Sequence, residues 1–269
     1  MISFPNAKIN IGLNILRKRA DGFHEISSIF YPIDWCDVLE IIPNQQKLSF
    51  ESYGIDIPGE ADSNLCIKAY HLLREDFDIP PVRIILKKNI PIGAGLGGGS
   101  ADASFALKML NDLYDLKLTN AALEAYASQL GSDCPFFIKN SACLAEGRGE
   151  KLKEISLTMS SRWLLVINPN IHVSTKSAYA QVVPVEADVI LEEVVQQDVA
   201  SWSSLGIMND FESSVFNQFP EVKQAKQLII DKAPQYVSMT GSGASVYGFF
   251  NDKPNVDDLK QYDFRLIQV

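Results

Sequence analysis

PIGAGLGGGSADA, residues 91–103, carries five glycines in the seven positions 93–99 and passes through Ser100 into a stretch where Ala103, Ala106, Leu107, Leu110 and Leu113 share one helical face. Glycine lets the main chain approach a phosphate closely, and the free amides and positive dipole end of a following helix favour its charge. A flexible turn before a helix is the plain alternative, but so dense a run is costly unless close approach is needed. Two well-known loops fit poorly. Gly93, Gly95 and Gly98 satisfy G-x-G-x-x-G, yet Asp112, near the distance of a ribose-binding acid, ends a helix instead of a second strand. The Walker A pattern meets Gly99 where its lysine should stand.

Upstream of this loop the pattern is mainly β. From Ala7 to Leu16, Ile9, Ile11, Leu13 and Ile15 alternate with Lys8, Asn10, Gly12 and Asn14, which predicts a strand with one polar face. Asp21-Gly22 supplies a turn; FHEISSIF, VLEII, LSFES at 48–52 and VRIILK at 82–87 read as further strands. Helical spacing appears over 64–74 and again over 119–130, with Gly131 placed as a stop. Downstream, RWLLVINP at 162–169 is a strand, and the acidic stretch 184–198 is a variable connection. Phe219-Pro220 opens a helix that Pro234 closes, and YVSMTGSGASVYGFF reads as strand, glycine turn, strand. A domain boundary falls near residue 155, dividing the chain into 1–155 and 156–269.

A chain of 269 residues, 46% apolar, is long enough for two modest cores. A formal charge of -9 excludes a general nucleic-acid coat, which needs a broad basic face, so an anionic ligand must meet a local basic site. Cys36, Cys66, Cys134 and Cys143 form no C-x-x-C pair and read as buried thiols of a reducing compartment. The N-terminal stretch has its charges after the apolar residues and is no signal peptide. WLLVI at 163–167 is too short to cross a bilayer, so neither membrane nor nucleic acid is an expected partner and a cytoplasmic protein is expected.

The loop resembles the P-x-x-x-G-L-G-G-G-S-A motif of the GHMP kinases. The resemblance extends to PNAKINIGLNIL at 5–16, DGFHEISSIF at 21–30, GSDCPFFI at 131–138 and MTGSGASVYGFF at 239–250. Within that family it is nearest the branch acting on a cytidine diphosphate derivative, 4-diphosphocytidyl-2-C-methyl-D-erythritol. The fold implied is two-domain α+β, an N-terminal domain like the ribosomal S5 domain 2 and a ferredoxin-like C-terminal domain. The implied activity is transfer of the γ-phosphate of ATP, with Mg²⁺, to the 2-hydroxyl of that small-molecule substrate, by a monomer or homodimer.

The resemblance assigns ATP to Pro91, Ile92, Gly93, Ala94, Gly95, Leu96, Gly97, Gly98, Gly99, Ser100 and Ala101, with Lys88 and Asn64 near the nucleotide. Ser100 either contacts the metal through Mg-ATP or caps its helix. Asp133 is the implied general base; by its local sequence it would equally cap the PFFI segment. Lys8, by itself an ordinary solvated strand lysine, becomes the cation that keeps Asp133 ionised. Asn10 shares its strand face and would orient the substrate. His24 and Phe23, which stands where the family commonly has tyrosine, would meet the cytosine ring, with Tyr179 as the opposing ring and Thr175 nearby. Gly241 and Gly243 are either a third backbone cradle or a plain glycine hairpin.

Overall fold

A computed structural model describes residues 1–44, 46–185 and 189–269. Its helices and sheets fall into two units whose segments alternate along the chain. Met1–Ala7, Asp34–Ile92 and Gly97–Ser141 make one; Lys8–Ile33, Gly93–Leu96 and Ala142–Val269 make the other.

The first unit holds a four-stranded sheet in the order Ile2–Ser3, Val38–Pro43, Val82–Lys88, Ser49–Gly54. Its last pair is parallel and the others antiparallel. In Val82–Lys88 the period-two pattern holds: Val82, Ile84 and Leu86 are buried while Arg83 and Lys87 face out. Helices Leu65–Asp76, Gly98–Leu113 and Asn120–Leu130 supply the other half of this core, Tyr70, Leu73, Leu107 and Leu110 packing with Ile41, Ile84 and Leu86. Two of these helices start on side-chain caps. Asn64 Oδ1 accepts from the Cys66 N–H at 2.9 Å and Thr119 Oγ1 from the Ala122 N–H at 3.3 Å. Gly131 ends the third, but in an extended conformation open to any residue; its lack of a side chain matters because a Cβ there would sit 3.2 Å from Cys134 Sγ.

The second unit contains an antiparallel sheet ordered Tyr236–Met239, Val246–Phe250, Trp163–Asn168, Asp263–Gln268. Numbered along the chain this is 2-3-1-4, the order of a ferredoxin-like sheet. Helices Phe211–Gln218 and Pro220–Ile230 fill the first crossover, while only the 3-10 turn Asp257–Leu259 occupies the second. Pro220 begins its helix at the first position, where the missing N–H costs nothing. A further sheet, ordered Asn6–Lys18, His24–Cys36, Cys143–Gly147, Lys151–Glu154, carries most of its length in this unit.

The strand Asn6–Lys18 differs from its expected form: Lys8, Asn10 and Asn14 are buried along with Ile9, Ile11 and Ile15, so its polar face is enclosed by protein. The acidic connection 184–198 contains a short helix, Leu191–Val194, and residues 186–188 of it lie outside the described residues. Cys66, Cys134 and Cys143 are buried as expected, but Cys36 is partly exposed. Among the described residues no helix is long and apolar enough to cross a membrane.

Candidate active site

In the second unit the glycines of two distant motifs meet. Gly95 (φ +76) approaches the turn after Met239 so closely that a Cβ on it would lie 2.1 Å from the Thr240 carbonyl oxygen. Thr240 Oγ1 donates to the Gly95 carbonyl at 3.0 Å, and the Ser245 N–H donates to the Ala94 carbonyl at 3.2 Å. Gly241 (φ +56) returns the contact, a Cβ there falling 3.1 Å from Gly95 Cα. Leu96 joins the same assembly by accepting from the Lys8 N–H at 2.9 Å. Gly243, also left-handed, would place a Cβ 3.0 Å from Met239 Sδ, and Gly93 packs against the His172 ring.

Lys8 is only 3% exposed, which removes the solvated-edge reading. Its ammonium donates to Asn10 Oδ1 at 2.5 Å and stands 4.7 Å from the Phe30 ring centre. Asn10 is in turn held on every side: its Nδ2 donates to Ser28 Oγ at 2.8 Å, its N–H to Thr240 Oγ1 at 3.0 Å, and its carbonyl accepts from the Tyr247 hydroxyl at 2.8 Å. Its side chain therefore aims Lys8. Sequence reasoning passed over Ser28, Thr240 and Tyr247, and also Asn209, whose Nδ2 donates to the carbonyls of Met239 and Gly241 and fixes the late glycine turn.

In the first unit, Gly97 in the left-handed conformation (φ +70) is the N-cap of helix Gly98–Leu113 and offers no side chain to its first amides. Ser100 lies inside that first turn, so the capping role considered for it is not the one it has. A Cβ on Gly99 would meet only Leu65 Cδ1 at 3.9 Å, leaving this helix end open. These are the features a phosphate needs: uncapped donors, a dipole end and no side chain in the way. Asp133 is partly buried in the turn before helix Phe136–Lys139, whose N-cap is Pro135, so Asp133 is not its cap either. Ser104 Oγ ties this turn to helix Gly98–Leu113 by donating to the Cys134 carbonyl at 2.7 Å.

Lys88 is buried and its ammonium donates to Asp37 Oδ2 at 2.5 Å and Asp102 Oδ2 at 2.7 Å. Asp37 Oδ1 also accepts from the N–H groups of Asn89 and Ile90, whereas Asp102 Oδ1 has no partner. Burial acts first on the Asp102 carboxyl; Lys88 opposes it, Asp37 reinforces it, and the result is pushed up to about 7. Burial alone would lower Lys88, but the two carboxylates outweigh it and hold the ammonium above its ordinary range.

Two family models match the chain, the N-terminal domain of GHMP kinases over residues 64–141 and the C-terminal domain of GHMP kinases over 190–262. A 4-diphosphocytidyl-2-C-methyl-D-erythritol kinase of Cytophaga hutchinsonii is 48% identical over 94% of both chains. The chain belongs to the GHMP kinase family. A crystal structure of 4-(cytidine 5'-diphospho)-2C-methyl-D-erythritol kinase superposes with a TM-score of 0.79 at 32% identity, covering 92% of this chain and 89% of that one. The Methanococcus jannaschii mevalonate kinase, at 16% identity and a TM-score of 0.66 over 99% of this chain and 96% of its own, shares the fold.

On the aromatic side of this GHMP kinase, the ring stacked on Tyr179 is that of His24, with centroids 4.3 Å apart and planes 15° from parallel. Burial, then the charge of Lys18, lowers the His24 pKa and so favours the neutral ring. Phe23 is 53% exposed, with the Arg148 guanidinium 4.8 Å from its ring centre. Tyr179 is braced edge-on by Phe211, at the end of the short helix Thr175–Tyr179 that Ser174 caps.

Two predictions follow from these contacts. Gly95→Ala combines a strained φ with a Cβ inside the Thr240 carbonyl, so chemical denaturation should register a loss above about 1–2 kcal/mol. Gly99→Ala, which meets open space in a helix, should hold or raise stability. For Asp102, the folded state binds more protons than the unfolded between the ordinary carboxyl value of 3.8 and about 7, so its contribution to stability falls as pH rises through that window. Lys88, Asp37 and Cys66 are the ionisable groups around it. The melting temperature of Asp102→Asn minus that of the parent should therefore widen with pH from about 4 to about 7 and flatten above.

Proposed function

We propose that this GHMP kinase transfers the γ-phosphate of ATP to the 2-hydroxyl of 4-diphosphocytidyl-2-C-methyl-D-erythritol, giving the 2-phosphate and ADP in the non-mevalonate route to isopentenyl diphosphate. What carries the substrate assignment is the 48% identity, over nearly the whole of both chains, to a kinase named for that substrate. The His24–Tyr179 pair beside an exposed Phe23 gives it a local basis, since a pyrimidine is held by stacking rings and hydrogen-bonding edges. With the two rings already in contact, the base enters by parting His24 from Tyr179 or by stacking on Phe23. Thr175 would add a polar contact.

Phosphoryl transfer asks the protein mainly for positioning and charge neutralisation. On this reading residues 91–101 hold the triphosphate by main-chain amides, with Asn64 and Lys88 supporting the nucleotide side and Gly241 and Gly243 the acceptor side. Mg²⁺, when bound with ATP, would supply neutralisation of the triphosphate charge, and Ser100 is the residue that would hold it. Asp133 takes the proton of the attacking hydroxyl, and Lys8, aimed by Asn10, favours the ionised carboxylate and the developing alkoxide. Residues 1–155 and 156–269 are the two kinase domains, in a cytoplasmic enzyme acting as a monomer or homodimer without nucleic-acid or membrane partners.

Asp133→Asn keeps the shape of the turn but cannot accept a proton. Turnover should fall about 10²- to 10⁴-fold or more while melting temperature and ATP binding change little. Near-parental turnover would refute the base assignment. Tyr179→Ala should raise KM for the cytidyl substrate far more than KM for ATP; equal effects on both would remove the aromatic subsite from the account.

A further inference from the structure

We propose that the buried Asp37–Lys88–Asp102 cluster is a positioning device for the phosphate-binding end of helix Gly98–Leu113. The inference rests on the reading that this helix end holds the phosphates of ATP; it gives a role to Asp37 and Asp102, which that reading leaves without one, and a positioning role to Lys88, which that reading sets near the nucleotide.

Lys88 ends the strand Val82–Lys88 and is anchored twice. Its carbonyl accepts from the Ile55 N–H at 3.0 Å and lies where a Cβ on Gly54 would fall, at 2.2 Å, so the backbone of the neighbouring strand is packed directly on it. Its ammonium is gripped between Asp37 and Asp102, both buried. Asp37 is fixed by the N–H groups of Asn89 and Ile90, the residues leading into the glycine loop, and Asp102 stands on the first turns of the helix that leaves it. The cluster thus joins the two ends of the loop through one cation.

That cation is also the floor of the helix end. A Cβ on Gly98 would lie 3.0 Å from Lys88 Nζ and 2.9 Å from Ile90 Cγ2, so Gly98 rests on the ammonium with no room for a side chain between them. A simple structural ion pair needs one carboxylate. Here a second one is buried with an oxygen left unpartnered, an arrangement costly enough that geometry at the loop is its evident return. Moving Nζ would let Gly98 sink, and with it the amides that face the phosphates.

The test compares three variants with the parent, using melting temperature and the KM for ATP and for the phosphoryl acceptor. Asp102→Asn keeps an oxygen for Lys88 and should leave KM for ATP within about twofold. Asp102→Leu leaves a neutral Lys88–Asp37 pair but frees the ammonium from the helix, and should raise KM for ATP about fivefold or more with KM for the acceptor nearly unchanged. Asp37→Asn/Lys88→Met/Asp102→Leu replaces all three charged groups by neutral side chains of similar size and keeps an oxygen for the Asn89 and Ile90 amides, a change that folded proteins often tolerate. It should melt within a few degrees of the parent yet show a KM for ATP raised about tenfold or more. Folded Leu-containing variants with parental KM for ATP would overturn the proposal, as would equal rises for ATP and acceptor. If the triple variant does not fold, the contrast between Asp102→Asn and Asp102→Leu decides alone. Failure of the underlying reading is separable, because then the parent itself would show no ATP binding by calorimetry.

Discussion

The approach of Gly95 to the Thr240 carbonyl is the constraint on which the late glycine turn and the placement of Asn10 and Lys8 depend. It excludes any side chain at Gly95, sets the left-handed turns at Gly95 and Gly241, and brings Thr240 to the point where its hydroxyl can serve Gly95 and Asn10 together. Asn10, so held, aims Lys8. Asn10, read off the sequence as a substrate contact, is also the joint between the late glycine turn and Lys8.

Charge is handled by burial. With a formal charge of -9 the chain cannot attract a triphosphate by its overall field, so the proposed site relies on main-chain amides, and two lysines, Lys8 and Lys88, are enclosed by protein. Taking an ammonium out of water costs several kcal/mol, and each of these two is compensated differently. Lys88 has two carboxylates. Lys8 has an amide oxygen and an aromatic face among its neighbours.

The sequence was most informative where local physics is decisive. The dense glycine run, the period-two strands and the Pro220 helix start all follow from conformational preferences that tertiary structure had no reason to override, and the family resemblance supplied the pairing of distant motifs. Buried polar partners were harder to see. Asp37 sits between WC and VLEII with nothing in its neighbours to mark it, and Asn209 in MND reads as a turn residue; their partners lie 51 and 30 positions away. Asp102 was in view within GSADA, but only burial beside Lys88 turns it from a helix-surface acid into part of the loop's foundation. The stacking of His24 on Tyr179 was not legible in DGFH, because packing alone brings the two rings together.

The most direct test of the central claim is ADP release by the purified protein with ATP and Mg²⁺ and, in turn, 4-diphosphocytidyl-2-C-methyl-D-erythritol, mevalonate and homoserine. The account predicts substrate-dependent ADP formation with the cytidyl compound, and kcat/KM for the other two lower by orders of magnitude. Comparable turnover of mevalonate or homoserine, or ATP binding without ADP release with any of the three, would contradict it.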